Sequence, residues 1–251
     1  MSDRLERLAT LVLPGFAILL LAVPACAADV KALLKDADRF RLTEESLRVE
    51  TEAKVYKAGV LDKTRLYNVY VKPGRRSLVV FRSPSERGQK LLMLADDFWL
   101  VLPGSQRPLR ITPMQKLLGD ASTGDVASLT WSEDYDGTIE GEQLVEGIPC
   151  IKLDITGQRK GVSYPRIVLY LARDGHYPVQ AELYVASDKL AKLATFKLGV
   201  EGGRRVVSTM ILVDRLQKDR RTELNYLART RKTLPDEYYN PAFLVRADIE
   251  N

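Results

Sequence analysis

Between residues 46 and 55 the hydrophobic period is two. Leu47, Val49, Thr51, Ala53 and Val55 alternate with Arg48, Glu50, Glu52 and Lys54, as in a strand with one face buried and the other wet. Most of the chain downstream repeats this in short runs. A turn around Gly59 leads to a run at 65–71, Pro73-Gly74 leads to 77–82, and Asp96-Asp97 joins 90–94 to 98–102. Further runs lie at 137–146, 148–157, 166–172, 178–186, 192–200, 204–214 and 221–228, several separated by turn signals such as Glu146-Gly147, Asp174-Gly175 and Gly202-Gly203. A parallel crossover needs a dozen or more residues. Hairpins in series, and so an antiparallel sheet, are what these spacings allow.

Three segments break the strand period. Val30, Leu33, Leu34 and Ala37 recur at helical spacing, with Asp29 placed to cap a helix over 29–40. Thr112-Pro113 signals a helix start, followed by Met114, Leu117 and Leu118; Thr123-Gly124-Asp125 opens a second short amphipathic piece with Val126, Leu129 and Trp131. The stretch 235–245 suits a short helix packing back. Every residue of 98–102 and 167–171 is apolar, so those strands are expected to be covered on both faces. The expected fold class is α+β: a strongly curved antiparallel half-barrel of about eleven strands, closed by short helices over an apolar cavity.

The first 27 residues read as an export signal: Arg4 and Arg7, an apolar run over 11–23, then Ala25-Cys26-Ala27 at the cleavage positions. Cleavage near Ala27 gives a soluble periplasmic chain, 28–251, organised as a single domain. One alternative is an uncleaved anchor helix. Another is a lipid anchor through Cys26, since Val23-Pro24-Ala25-Cys26 loosely matches a lipobox. After cleavage at Ala27 only Cys150 remains, which excludes an intrachain disulfide. The formal net charge of +5 is spread along strands, as at Lys152, Asp154, Arg166 and Glu182. No basic arm or RNA-binding motif accompanies it, so nucleic acid is not an expected partner.

Signatures of chemistry are few. His176 is the sole histidine, in a Gly175-His176-Tyr177 turn, which argues against a zinc site and a histidine-based triad. Cys150 follows Pro149 in an apolar strand and reads as a buried thiol. Phosphate loops and dinucleotide fingerprints are absent. The Asp96-Asp97 pair suits a turn. Glu133, Asp134 and Asp136 are the carboxylates a hydrolase would use, but a solvated acidic loop is the default reading of such a cluster. No catalytic residue, metal or cofactor is expected.

The order of motifs resembles a known family. Tyr70-Val71-Lys72-Pro73, Leu78-Val79-Val80-Phe81, Pro84, Gly88, Leu91-Leu92-Met93-Leu94 and Phe98-Trp99-Leu100-Val101-Leu102-Pro103 follow the amphipathic helix. Arg110-Ile111-Thr112, Leu118-Gly119-Asp120-Ala121-Ser122, Gly124-Asp125-Val126, Asp134-Tyr135-Asp136, residues 178–184 and Leu234-Pro235-Asp236 come after. The pattern is similar to the outer-membrane lipoprotein-sorting proteins, the LolA-like carrier superfamily. It looks closest to a branch distinct from the housekeeping carrier, with a longer insertion over 110–135 and Gly74-Arg75-Arg76 after the strand-end proline. The resemblance implies a half-barrel whose apolar face receives acyl chains of a lipoprotein or lipid. It also implies a monomer that exchanges cargo with an inner-membrane transporter or exporter. On that basis the expected lining is Val49, Val55, Phe81, Met93, Trp99, Leu169, Leu183, Phe196 and Met210, and the expected lid is Met114, Leu117, Leu118 and Leu129. The competing reading is an envelope sensor or scaffold that uses the same sheet to bind a protein partner.

Overall fold

The computed structural model describes residues 27–115, 121–127 and 130–249. The export segment with Cys26, and Leu117, Leu118 and Leu129 of the expected lid, lie outside the described residues. Helix α1 (Ala27–Asp38) leads into β1 (Leu47–Lys57), β2 (Val60–Lys72), β3 (Arg76–Phe81), β4 (Lys90–Leu94), β5 (Asp97–Val101) and β6 (Leu109–Ile111). A connection carrying the short α2 (Thr123–Ala127) crosses to β7 (Tyr135–Val145). Then come β8 (Ile148–Gly157), β9 (Arg166–Ala172), β10 (Pro178–Tyr184), β11 (Leu190–Glu201), β12 (Arg204–Asp214), β13 (Arg220–Arg231) and the short α3 (Pro241–Leu244).

These form one antiparallel sheet of 13 strands, ordered β6-β5-β4-β3-β2-β1-β13-β12-β11-β10-β9-β8-β7. The chain lays down one arm from β1 outward to β6. It then crosses to the far edge at β7 and meanders back until β13 pairs with β1, with Leu47 opposite Arg231. Both edges stay open, so the sheet is not a closed barrel. The count exceeds the expected eleven partly because β6 is three residues long, none of them buried, and too short for a period to show.

The sheet is strongly bent. Flat, strands spaced about 4.8 Å apart would put β4–β5 and β8–β9 roughly 30 Å or more from each other. Instead the β4–β5 turn touches the β8–β9 loop. A Cβ on Gly161 would lie 2.6 Å from the Asp96 Cα, and Arg159 Nε donates to Asp96 Oδ1 at 3.2 Å. The concave face is apolar from one arm to the other: Val79, Phe81, Leu91 and Phe98 share a cluster with Leu153, Ile155, Leu169 and Ala181.

The convex face is covered in two places. Leu234, Tyr239, Leu244 and Ile249 of the C-terminal segment pack on Tyr70, Leu78, Val80, Leu92 and Val101, which fits the packing-back expected for 235–245. Lys72 and Arg76 both pair with Asp236 there, and Lys90 Nζ donates to the carbonyl of Leu244 at 3.2 Å. On the other arm Cys150 is buried with Val168, Tyr170 and Val179, and burial pushes its thiol pKa up. This two-sided cover explains the all-apolar strands.

Candidate functional site: a covered apolar concave face

One sheet cannot hide its own apolar face, so another element must cover it. Here the cover is thin. Helix α1 lies on the concave side, with Val30, Leu33, Leu34 and Ala37 in the core cluster, and also contacts β7. Beside it lies the connection between β6 and β7, which contributes Ala121, Val126, Ala127 and Trp131, with Tyr135 following at the start of β7. Trp131 meets Phe196 edge-on at 5.6 Å between ring centroids.

The cover is held down mainly by polar clamps. In the first, Ser122 N donates to Asp125 Oδ2 at 2.7 Å while Asp125 N donates to the Ser122 carbonyl at 3.1 Å, a local arrangement that starts α2. The same Asp125 carboxylate takes Lys192 Nζ from β11 at 2.5 Å and Tyr164 Oη at 2.9 Å. Both ion-pair side chains are only 3% exposed. Burial and the neighbouring Asp125 push the Tyr164 phenol pKa well up, so it stays a neutral donor. Lys192 shares strand parity with Ala194 and Phe196, placing its charge on the apolar face.

The second clamp joins the two covering pieces. Asp38, at the end of α1, accepts from Trp131 N at 2.7 Å and Ser132 N at 2.9 Å. Burial raises the carboxyl pKa of Asp38, against the lowering effect of those bonds. Arg41 stacks 4.3 Å from the Trp131 ring centroid. The third clamp is an ion pair between Arg75 and Asp134, each side chain 5% exposed. Arg75 also reaches Asp96 at 3.4 Å; it sits in the β2–β3 turn at φ +56°, a strained region for a side-chain-bearing residue. Burial lowers the guanidinium pKa of Arg75, assisted by Arg159. Further along, His176 Nδ1 lies 2.9 Å from Asp36 Oδ2 of α1.

At Gly124 the cover sits close on the β8–β9 loop, and any side chain would make Ser163 shift. A Cβ there would come within 1.6 Å of Ser163 Oγ. Between cover and floor lies a pocket of about 50 Å³, bordered by Trp131, Tyr164, Leu183, Phe196 and Met210. A cleft of about 460 Å³ opens beside it, lined by Lys35 of α1 and Arg39 just after it, by Lys72, Arg75 and Arg76, and by Val71, Met93 and Ala127.

Most residues expected from sequence to line a cavity do converge. Val49, Phe81, Met93, Leu169, Leu183, Phe196 and Met210 all belong to the concave cluster. Val55 is buried but stands outside that cluster, near the far end of β1. Trp99 lies on the opposite face, packed against the C-terminal segment, because Phe98 takes the concave position opposite Met93. Met114 packs against the concave cluster, although Pro113 and Met114 form a turn and not the expected first helical turn. Of the carboxylates weighed for hydrolysis, Asp134 is paired with Arg75 and Asp136 accepts from Gly137 N at 2.9 Å; Asp96, in the β4–β5 turn as expected, pairs with Arg75 and Arg159. Among the described residues no cluster of three metal-ligating side chains occurs. Sequence reasoning did not single out Asp38, Arg75, Tyr164 or Lys192. One legible signal was a lysine with apolar neighbours on both sides, Ala191-Lys192-Leu193; another was Ser122-x-x-Asp125 ahead of Val126.

A family model described as "Uncharacterized protein" matches residues 74–246. The chain belongs to this family, and its fold is LolA-like. A LolA superfamily protein from Nitrosomonas europaea superposes with a TM-score of 0.78 at 25% identity, over 84% of this chain and 97% of that one. For a DUF1329 family protein from Desulfovibrio piger the TM-score is 0.70 at 26% identity, over 86% and 98%. A domain assigned as an outer membrane lipoprotein-sorting protein, from Vibrio parahaemolyticus, gives 0.71 over 88% and 100%; its identity is 20%, so that likeness speaks for the fold alone. No curated protein matches the sequence. The LolA-like sheet thus carries, in this protein, an apolar concave face under a polar-clamped cover.

Proposed function

We propose that this LolA-like protein is a periplasmic carrier, one domain over 28–251, that binds the acyl chains of a lipoprotein or lipid. Cargo would lie on the concave face beneath the segment 121–135 and α1, and would move toward the outer membrane or an export system without chemistry. The observation that carries this reading is the nature of the cover. A sheet meant only to be stable would bury its face under a second, well-packed apolar layer. Here one helix and a connection with buried charges do it, and buried ion pairs contribute little net stability over apolar packing. Clamps of that kind suit a cover that must come off.

The energetics fit an exchange. An acyl chain in water gains about 0.8 kcal/mol per methylene on burial, so a sixteen-carbon chain gains roughly 12 kcal/mol. Pockets for such ligands measure about 300–1,000 Å³, far more than the roughly 50 Å³ beneath the cover. The described state is therefore shut, with Leu34, Val126 and Trp131 filling the space a chain would take. Loading would lift these residues, and their return would help to expel the cargo where ATP is absent. A monomer and an inner-membrane transporter or exporter as supplier complete the proposal.

Native mass spectrometry of protein purified from an envelope fraction without detergent, followed by lipid extraction, tests it. A stoichiometric acyl-bearing adduct is expected. Protein that is empty and also refuses a fluorescent acyl probe would sink the carrier reading and favour a scaffold that binds a protein partner.

A further inference from the structure

The net charge that looks dispersed along the sequence is gathered in space. The β1–β2 and β12–β13 hairpins lie side by side across the central β1–β13 pairing, and their tips are tied by a bond from Ala58 N to the Asp219 carbonyl at 2.9 Å. Residues 57–64 and 215–219 are all exposed. Because β3 pairs only with the part of β2 from Tyr67 to Lys72, the β1–β2 tip projects beyond its neighbour. Within 57–64 and 215–221, six bases (Lys57, Lys63, Arg215, Lys218, Arg220 and Arg221) face two acids, Asp62 and Asp219. With Asp214, which borders the cleft at this end, and Glu223, which pairs with Arg221, the count is six bases against four acids, still a net positive end of the sheet.

Apolar side chains share that end. Val60 is 70% exposed, Leu61 49% and Leu216 57%. Next to them is a cleft of about 550 Å³ bordered by Tyr56, Arg215, Lys218, Arg220 and Arg221, where the Arg221 guanidinium stacks 4.3 Å from the Tyr56 ring centroid. Lys57 pairs with Asp62 at 2.9 Å and Arg221 with Glu223 at 3.2 Å, and Arg220 also has a partner. The excess of cations remains.

We propose that this end docks on a bilayer rich in anionic phospholipid. Val60, Leu61 and Leu216 enter the headgroup layer, and the surrounding lysines and arginines meet lipid phosphates. Exposed aliphatic side chains ringed by bases satisfy both demands of an interfacial anchor, apolar area to bury and charge to attract. An acidic protein surface would use the bases but would leave three projecting aliphatic chains without a role. The dock is at the opposite end of β2 from Lys72 and the β2–β3 turn, about 35 Å along the strand, so it leaves the cleft beside the cover open. It does not depend on the carrier reading.

Flotation with vesicles tests it, comparing pure phosphatidylcholine with a mixture containing phosphatidylglycerol. Binding to the anionic vesicles alone is expected at about 0.1 M salt, with release near 1 M as the screening length falls from about 10 to about 3 Å. Each basic side chain near an anionic surface multiplies affinity about fivefold, so K63Q/R215Q/K218Q should weaken binding about a hundredfold. The control R107Q/K160Q/K189Q carries the same charge change elsewhere and should bind within a few-fold of the unaltered protein. L61S/L216S should weaken binding while leaving its salt dependence in place. All these side chains are exposed, and circular dichroism verifies folding. Equal binding to both vesicle types, equal loss in the tip and control variants, or no effect of L61S/L216S would each overturn the proposal. Acyl-probe uptake is read separately, so a failed dock leaves the carrier reading standing.

Discussion

Replacing Lys192 by Met tests the first clamp. Lys192→Met keeps the length of the side chain and removes its charge, leaving the buried Asp125 carboxylate with Tyr164 Oη and Ser122 N as its donors among the described residues. Stranding one partner of a buried pair costs about 3–5 kcal/mol. That cost falls on the state with the cover down, because lifting 121–127 lets water reach Asp125. The population with the cover raised should therefore grow by about two to three and a half orders of magnitude. Amide hydrogen exchange reads this directly: protection should collapse over 121–127 and 131–135 but persist in β9 and β12. Acyl-probe uptake should accelerate in step. Changing both partners, Asp125→Leu with Lys192→Met, removes the stranded charge and should recover most of the loss, and the double-mutant cycle gives the coupling. Unchanged exchange over 121–127, or equal deprotection of β9 and β12, would refute the idea that this pair holds the cover in particular.

Phe196→Ala and Trp99→Ala separate the two faces of the sheet: the first should change acyl-probe affinity, whereas the second should leave affinity intact and loosen the C-terminal segment, seen as faster exchange over 234–249. Gly137→Ala would place a Cβ 2.0 Å from the Asp154 carbonyl oxygen and 2.7 Å from the Ile155 Cα, backbone that cannot swing aside, and urea unfolding should show a loss of about 2–3 kcal/mol. The Asp236 carboxyl pKa is held below its ordinary 3.8 chiefly by the hydrogen bond from Lys72. A group with a depressed folded pKa stabilises above its unfolded value and stops doing so as pH falls through the folded one. The stability difference between the unaltered protein and Asp236→Asn, measured by thermal unfolding, should thus be present at pH 6, decline as pH falls below 3.8, and be gone once pH is under the lowered folded value.

The strand period and the tight turns sufficed to read hairpins in series, because both are local properties. Curvature followed from strands apolar on both parities. What failed was the choice of face within such strands. In 98–102 every side chain is apolar, so nothing local says that Phe98 faces the concave cluster and Trp99 the C-terminal segment. The clamps were hidden for a different reason. Asp125 and Lys192 are 67 residues apart, and Arg75 and Asp134 come from different arms of the strand order, so their pairing depends on the crossover to β7. The basic end escaped notice likewise, since its two loops are about 150 residues apart in the sequence.

The place where β1 meets β13 has a consequence for how the protein is made. Each arm is a plain meander whose strands pair with the strand just before them, so either can zip as it emerges. The central seam is different: Leu47 must find Arg231, and all the chain between has to be threaded out first. Closing so long a loop is entropically costly and slow. If the chain is exported N-terminus first, β1 waits unpaired on one side until the last strand arrives. During that interval β1 is a free edge with an apolar face, open to pairing with another chain. Assembly of this sheet should therefore finish at its centre, and the period of greatest vulnerability to aggregation ends only when that seam closes.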